Sequence, residues 1–389
     1  MTTPQTLASS DATSLLGVYA RVGPMFVAGD GSELIAEDGT RYLDFVAGIA
    51  VNALGYNSPV FRDAVVRALD SGLVHVSNLY RTEPGERLAA ELTRTVGGQA
   101  FFCNSGAEAN EGAFKFARKW SGKTDIVAFS GSFHGRLFAS LAATDRPDYR
   151  RPFEPLLSGV QIVPLDDREA AARAITDRTA AVIIEPVQGE GGVRPVPTRF
   201  LAFLRELCDE RKCALIFDEV QCGLGRTGTL FAAEQTGVVP DMYTLAKPLG
   251  GGLPMGAVLV NDQIAATLAP GDHATTFGGG PFVASVALDV FRAIADPDFL
   301  AAVRAKGARL GAALGALASR RARVREARGR GLMWGLELNE VATPVVTAAR
   351  ERRLLVLTAG PTVIRIVPPL IVTNDELERG VAILDEVLA

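Results

Sequence analysis

Between residues 99 and 260, short apolar runs recur with longer stretches of helical periodicity between them. The runs are Gln99 to Cys103, Asp125 to Phe129, Val160 to Pro164, Ala180 to Glu185, Cys213 to Asp218, Met242 to Ala246 and Met255 to Val260. Each is short and apolar on both faces, which predicts a strand buried within a sheet. After Ser105-Gly106, the residues Ala109, Ala113, Phe116, Ala117 and Trp120 fall at helical spacing and give one apolar face. Leu201, Leu204 and Cys208 mark another helix. Alternating strands and helices predict an α/β fold on a mostly parallel sheet with helices on both faces.

The glycine-rich stretch Gly278-Gly279-Gly280-Pro281 closes that region. Beyond it come helix-like Val283 to Ala295 and Ala301 to Ala318, strand-like Leu332 to Leu338, Leu354 to Thr358 and Val363 to Val367, and a last helix, Asp375 to Leu388. A chain of 389 residues exceeds the size at which one core stops growing, roughly 250 to 300. The expected division is a large domain over 51–282, a smaller α/β domain over 283–389, and an N-terminal segment, 1–50, that contributes to the smaller one.

Hydrophobic content of 48% with 22% charged residues describes an ordinary globular enzyme. A net charge of −4 supplies no electrostatic reason to expect nucleic acid or an anionic membrane as partner. Cys103, Cys208, Cys213 and Cys222 have no paired spacing, so a structural zinc site is not expected and reduced thiols in the cytoplasm are. The opening Met1 to Leu16 is Thr/Ser-rich without a basic start, so no secretory leader is expected.

The candidate chemistry centres on Lys247, in Thr244-Leu245-Ala246-Lys247-Pro248-Leu249-Gly250-Gly251-Gly252. An amine at the end of a buried strand loses solvation, which lowers its pKa and frees the lone pair that capture of a carbonyl requires. A lysine snorkelling out of a strand end is the structural alternative. Asn104-Ser105-Gly106-Ala107-Glu108-Ala109-Asn110 joins a strand to a helix, and free N–H groups at such a start attract phosphate. Ser105 as an ordinary helix cap explains the same residues without a ligand. Glu185, Glu190, Asp218 and Glu219 stand at or just past strand ends, where parallel sheets bind their ligands. One of these acids can hold a cationic ring nitrogen, and Phe133, in Ser132-Phe133-His134-Gly135-Arg136, can cover a heteroaromatic ring. Arg365 is a lone cation in the apolar strand Ile364-Arg365-Ile366 and needs an anion, from the protein or from a substrate.

In this order and spacing, the segments from about Gly31 to Val367 resemble the class III aminotransferases, pyridoxal-phosphate enzymes of the aspartate aminotransferase fold, fold type I. The resemblance implies pyridoxal 5'-phosphate as cofactor, with Lys247 as its covalent anchor and proton carrier and Asp218 on the pyridinium nitrogen. It implies Gln221 near the phenolic oxygen, Val220 and Phe133 on opposite ring faces, and Ser105, Gly106 and Ala107 on the phosphate. Thr276 resembles the threonine that reaches the phosphate of a neighbouring subunit, which implies a homodimer with shared sites. Arg365 resembles the arginine that binds a substrate carboxylate, Glu190 the acid that masks it, and Arg136 a second carboxylate-binding arginine.

Within the family, Tyr42 to Gly55 and Ser77-Asn78-Leu79-Tyr80, with Gly48 and His134, look most like the acetylornithine branch, which uses 2-oxoglutarate as acceptor. Glycine at 48 leaves room for an acylated amine. Donors of a lysine pathway, whether succinylated or carrier-bound, and an aminomutase of the same fold are the neighbouring readings; a ligand-binding protein without chemistry is the reading from another class. Pro248, Gly280 and the pair Tyr56-Asn57 depart from the family pattern.

Overall fold

The computed structural model describes residues 14–389, so most of the Met1 to Leu16 segment lies outside the described part. Seven strands form one sheet in the order Gln99–Cys103, Gly256–Val260, Met242–Leu245, Ala214–Asp218, Thr179–Ile184, Asp125–Phe129, Val160–Val163. Ala214–Asp218 pairs in parallel with both neighbours, and Gly256–Val260 alone runs against the strands beside it.

The continuous apolar runs follow from burial on both sides. Val127, Val182, Leu215 and Phe217 join one core, and Ile126, Ala128, Ile183 and Ile216 join another on the opposite face. Helix Gly106–Ser121 covers the second face with Ala109, Ala113, Phe116 and Ala117; helix Thr198–Arg211 covers the first with Phe200, Leu204 and Cys208. Each such Leu, Ile or Phe taken fully out of water contributes about 1.5 to 3 kcal/mol, which makes this sheet a rigid platform for the groups at its edge.

A second sheet, antiparallel, has the order Val324–Arg330, Met333–Leu338, Val363–Ile366, Leu357–Thr358. A third holds Phe26–Asp30, Glu33–Ala36 and Arg41–Asp44, and its last neighbour is Leu354–Leu355, parallel to Arg41–Asp44. The apolar run Leu354 to Thr358 is therefore two strands, because the chain leaves one sheet at Val356 and enters the other. The helix expected from Ala301 begins at Pro297, where the Asp296 carboxylate accepts from the Asp298 and Phe299 N–H groups at 3.0 and 2.9 Å. Before it, helix Pro281–Ala295 packs on helices Pro59–Asp70 and Glu83–Val96 and on the turn Lys247–Gly250. Among the described residues no helix is long and apolar enough to cross a membrane.

Candidate active site

The carboxyl ends of the parallel strands open on a cavity of about 420 Å³. Five of these strands deliver groups to it. Ser105, Gly106 and Ala107 follow Gln99–Cys103, Phe133 and Arg136 follow Asp125–Phe129, Glu185 follows Thr179–Ile184, Asp218, Val220 and Gln221 end Ala214–Asp218, and Lys247 follows Met242–Leu245.

Lys247 has φ of +26°, an unfavourable conformation for a residue with a Cβ, and Pro248 opens the short turn that follows. At that position no intrahelical N–H is needed, so the proline costs nothing in hydrogen bonding. Part of the lysine faces the cavity, but protein surrounds its amine. Burial, aided by the Arg365 charge and opposed by Glu190, Asp218 and Glu185, brings Lys247 down from 10.5 to about 8.

Asp218 is almost fully buried. Its Oδ2 accepts from Asn110 Nδ2 and pairs with His134 Nδ1, both at 2.8 Å, and its Oδ1 accepts from the Val220 N–H at 3.0 Å. Asn110 had no assigned role in the sequence, although a polar residue beside Ala109 and Ala113 on the apolar helix face was a signal. Glu185 accepts from the Phe133 and Gly189 N–H groups at 3.0 and 2.9 Å, and burial pushes its carboxyl up to about 7 against the pull of His134. The neighbouring Glu219 turns the other way and caps the turn at Ala232 and Ala233, so of the two adjacent acids only Asp218 faces the cavity.

Ser105 caps helix Gly106–Ser121 by accepting from the Glu108 N–H at 3.2 Å. The structural role therefore holds, yet the Gly106 and Ala107 N–H groups still head the helix with no partner among the described residues. A Cβ at Gly106 would lie 2.7 Å from Val220 Cγ1, so only glycine lets the backbone approach here.

Arg365 is buried and paired with Glu190, and its Nη1 also donates to Gln221 Oε1 at 3.3 Å. The anion that the lone arginine required is a protein carboxylate in this conformation. Arg365 and Glu190 lie beside the cavity rather than in its lining and connect to it through Gln221. Arg136 stacks on Tyr149, its Cζ 3.4 Å from the ring centroid. Thr276 is not brought to this cavity; it lines a separate hollow of about 1160 Å³ with His75, Asn78 and Tyr80.

These groups suit pyridoxal 5'-phosphate at each of its ends. A helix start with two free N–H groups suits the phosphate, Asp218 the ring nitrogen, Lys247 the aldehyde, and Val220 and Phe133 the ring between them.

The Aminotransferase class-III family model matches residues 20–388. The acetylornithine aminotransferase of Gloeobacter violaceus is 48% identical, over 96% of each chain. The N-acetylornithine aminotransferase structure from Stenotrophomonas maltophilia superposes with a TM-score of 0.83 at 36% identity, covering 95% of this chain and 96% of that one. The ornithine aminotransferase of Toxoplasma gondii gives a TM-score of 0.92 at 28% identity, covering 96% and 92%.

Proposed function

The chain belongs to the class-III aminotransferases, enzymes of PLP fold type I that use pyridoxal 5'-phosphate, and we propose that it moves the terminal amino group of N-acetylornithine to 2-oxoglutarate. This is a step of arginine biosynthesis. The observation that carries the reading is the convergence of Lys247 and Asp218 on one cavity, with Gly48 and His134 in the pattern of the acetylornithine branch.

Bound, the cofactor supplies an aldehyde that holds the amine and a ring that takes up the electron pair of the broken C–H bond. Lys247, with its amine poised to lose a proton near pH 8, anchors the cofactor and then carries the proton from the substrate carbon through Nζ. Asp218, locked by Asn110 and His134, holds the positive charge at the ring nitrogen. Gly106 and Ala107 would hold the phosphate through their N–H groups, Val220 and Phe133 would confine the ring, and Gln221, which also accepts from Arg365, would serve the phenolic oxygen. Arg365 binds the carboxylate of 2-oxoglutarate once Glu190 moves away, and with Glu190 in place the donor's uncharged segment passes instead. Arg136 holds the more distant carboxylate.

The same reading makes the enzyme a homodimer, with Thr276 completing the partner's phosphate site. Thr276 lines this separate hollow rather than its own cavity, which supports this, as do the exposed Leu79 and Tyr80 that line the hollow with it. The described part of segment 1–50, residues 14–50, with 283–389 makes up the smaller domain of this reading against a large domain over 51–282, a division that their separate sheets support. Four buried, unpaired cysteines support action in the cytoplasm.

The test is steady-state turnover of N-acetylornithine with 2-oxoglutarate, read as glutamate formed. Turnover that fails for this donor but succeeds with a succinylated or carrier-bound lysine precursor moves the assignment to that donor.

A further inference from the structure

Tyr56, a departure from the family pattern, does not line the cavity, yet it is tied to the loop that does. Ala47, Gly48, Ile49 and Ala50 all have positive φ, between 48° and 65°. Three of them carry a Cβ, so the loop holds this shape only if its surroundings impose it. The tie is Asp44, a buried carboxylate at the end of strand Arg41–Asp44. Its Oδ1 accepts from the Val46 and Ala47 N–H groups at 2.8 and 3.1 Å, and its Oδ2 accepts from the Tyr56 hydroxyl at 2.6 Å. Tyr56 is itself fixed, because its backbone pairs with Gly31 in both directions and a Cβ at Gly29 would lie 2.6 Å from its ring.

What this clamp holds is one wall of the site. Val51 ends the loop and lines the cavity, and a Cβ at Gly48 would lie 3.4 Å from Val51 Cβ. The loop's two flanks are held by the stretch after Arg365: Val367 donates to Phe45 O and Leu370 to Ala53 O, each at 2.8 Å. A shift of the loop between these two flanks therefore moves Val51 and changes the room in the cavity that Val51 lines.

We propose that Tyr56 is a positioning residue that, through Asp44, sets the Val51 wall and with it the preference for an acylated donor over a shorter one. The proposal rests on the reading of this cavity as the amine-donor site. It is tested with Tyr56→Phe holoenzyme, in which cofactor absorbance and thermal midpoint are recorded alongside kinetics for N-acetylornithine and for ornithine. Loss of one hydrogen bond to a buried carboxylate is expected to raise KM for N-acetylornithine about tenfold with kcat within about twofold, while kcat/KM for ornithine holds. The ratio of the two specificities then falls. Equal changes for both donors, or a loss confined to kcat, overturn the proposal. Asp44→Asn should lower the same ratio, and the double variant should be no worse than the more affected single one; additive losses also count against it. Should Tyr56→Phe lose its cofactor, the ratio in Asp44→Asn decides. Wild-type enzyme that ignores N-acetylornithine overturns the functional reading alone, and the ratio is then read on the longest and shortest amines it accepts.

Discussion

Asp218 and His134 are joined at 2.8 Å where both side chains are shut off from solvent. The same carboxylate oxygen takes Asn110 Nδ2, so the acid is held from two elements, helix Gly106–Ser121 and the loop after Asp125–Phe129. A carboxylate with this many fixed partners cannot swing, and its charge stays aimed at the cavity. His134 Nε2 has no partner among the described residues.

Asp218→Asn is expected to keep the cofactor and to lose turnover by about 100-fold or more, the usual effect of removing one preorganised electrostatic group. Absorbance of the purified variant checks the first part and steady-state kinetics the second. Near-normal rates would show that the ring nitrogen does not depend on this acid.

As the proposed anchor, Lys247 should set the pH dependence of cofactor capture. With its value brought to about 8, the amine of the apoprotein is about one-tenth neutral at pH 7, against well under one in a thousand for an unperturbed lysine. The rate at which apoprotein takes up the cofactor, followed by absorbance, should climb with a midpoint near pH 8 and flatten above it. A midpoint near 10.5 would refute the desolvation argument. The stability consequence has a definite sign. Between about 8 and 10.5 the unfolded chain binds more protons at this position than the folded one, so the contribution of Lys247 to apoprotein stability rises with pH across that window.

What the sequence disclosed depended on whether the signal was local. The central strands were legible because both faces are buried and each run is apolar throughout, as Val127 and Ile126 show in their separate cores. The direction of Gly256–Val260 was not, since burial leaves the same pattern in a parallel and an antiparallel strand. Lys247 stood out through its strand and glycines, whereas the Asn110–Asp218–His134 cluster is assembled from three elements and leaves no spacing to read. The separation of Leu354–Leu355 from Leu357–Thr358 was hidden because no glycine or proline marks the passage between sheets. Tyr56-Asn57 read as a departure, and only the contact with Asp44 gives it a purpose.

Glu190→Gln should change the balance between the two half-reactions. The ion pair with Arg365 is weakened when the acid becomes neutral, which frees the arginine for the carboxylate of the oxo acid. The expected result is a several-fold lower KM for 2-oxoglutarate and a several-fold higher KM for the donor, consistent with loss of about 1 kcal/mol of charge pairing. Single-turnover absorbance measures each half separately. Equal effects on both halves would count against a gate.

Mixing two impaired variants tests the shared site. If each cavity uses Lys247 from its own chain and Thr276 from the other, a heterodimer of Lys247→Ala with Thr276→Ala has one cavity lacking both groups and one cavity that is intact. Subunits exchanged at equal amounts give half heterodimers, so at a cofactor concentration that leaves the Thr276→Ala homodimer largely empty, activity should recover to about one quarter of wild type, above what either homodimer or their sum supports. The Thr276→Ala homodimer should bind the cofactor more weakly while retaining the Lys247 absorbance when saturated, because the lost contact is to the phosphate and not to the aldehyde. Equilibrium dialysis gives the affinity and a mixing series gives the activity. Activity that stays at the average of the two parents would place Thr276 outside any phosphate site, and a monomeric sedimentation profile for active enzyme would rule out the shared cavity altogether.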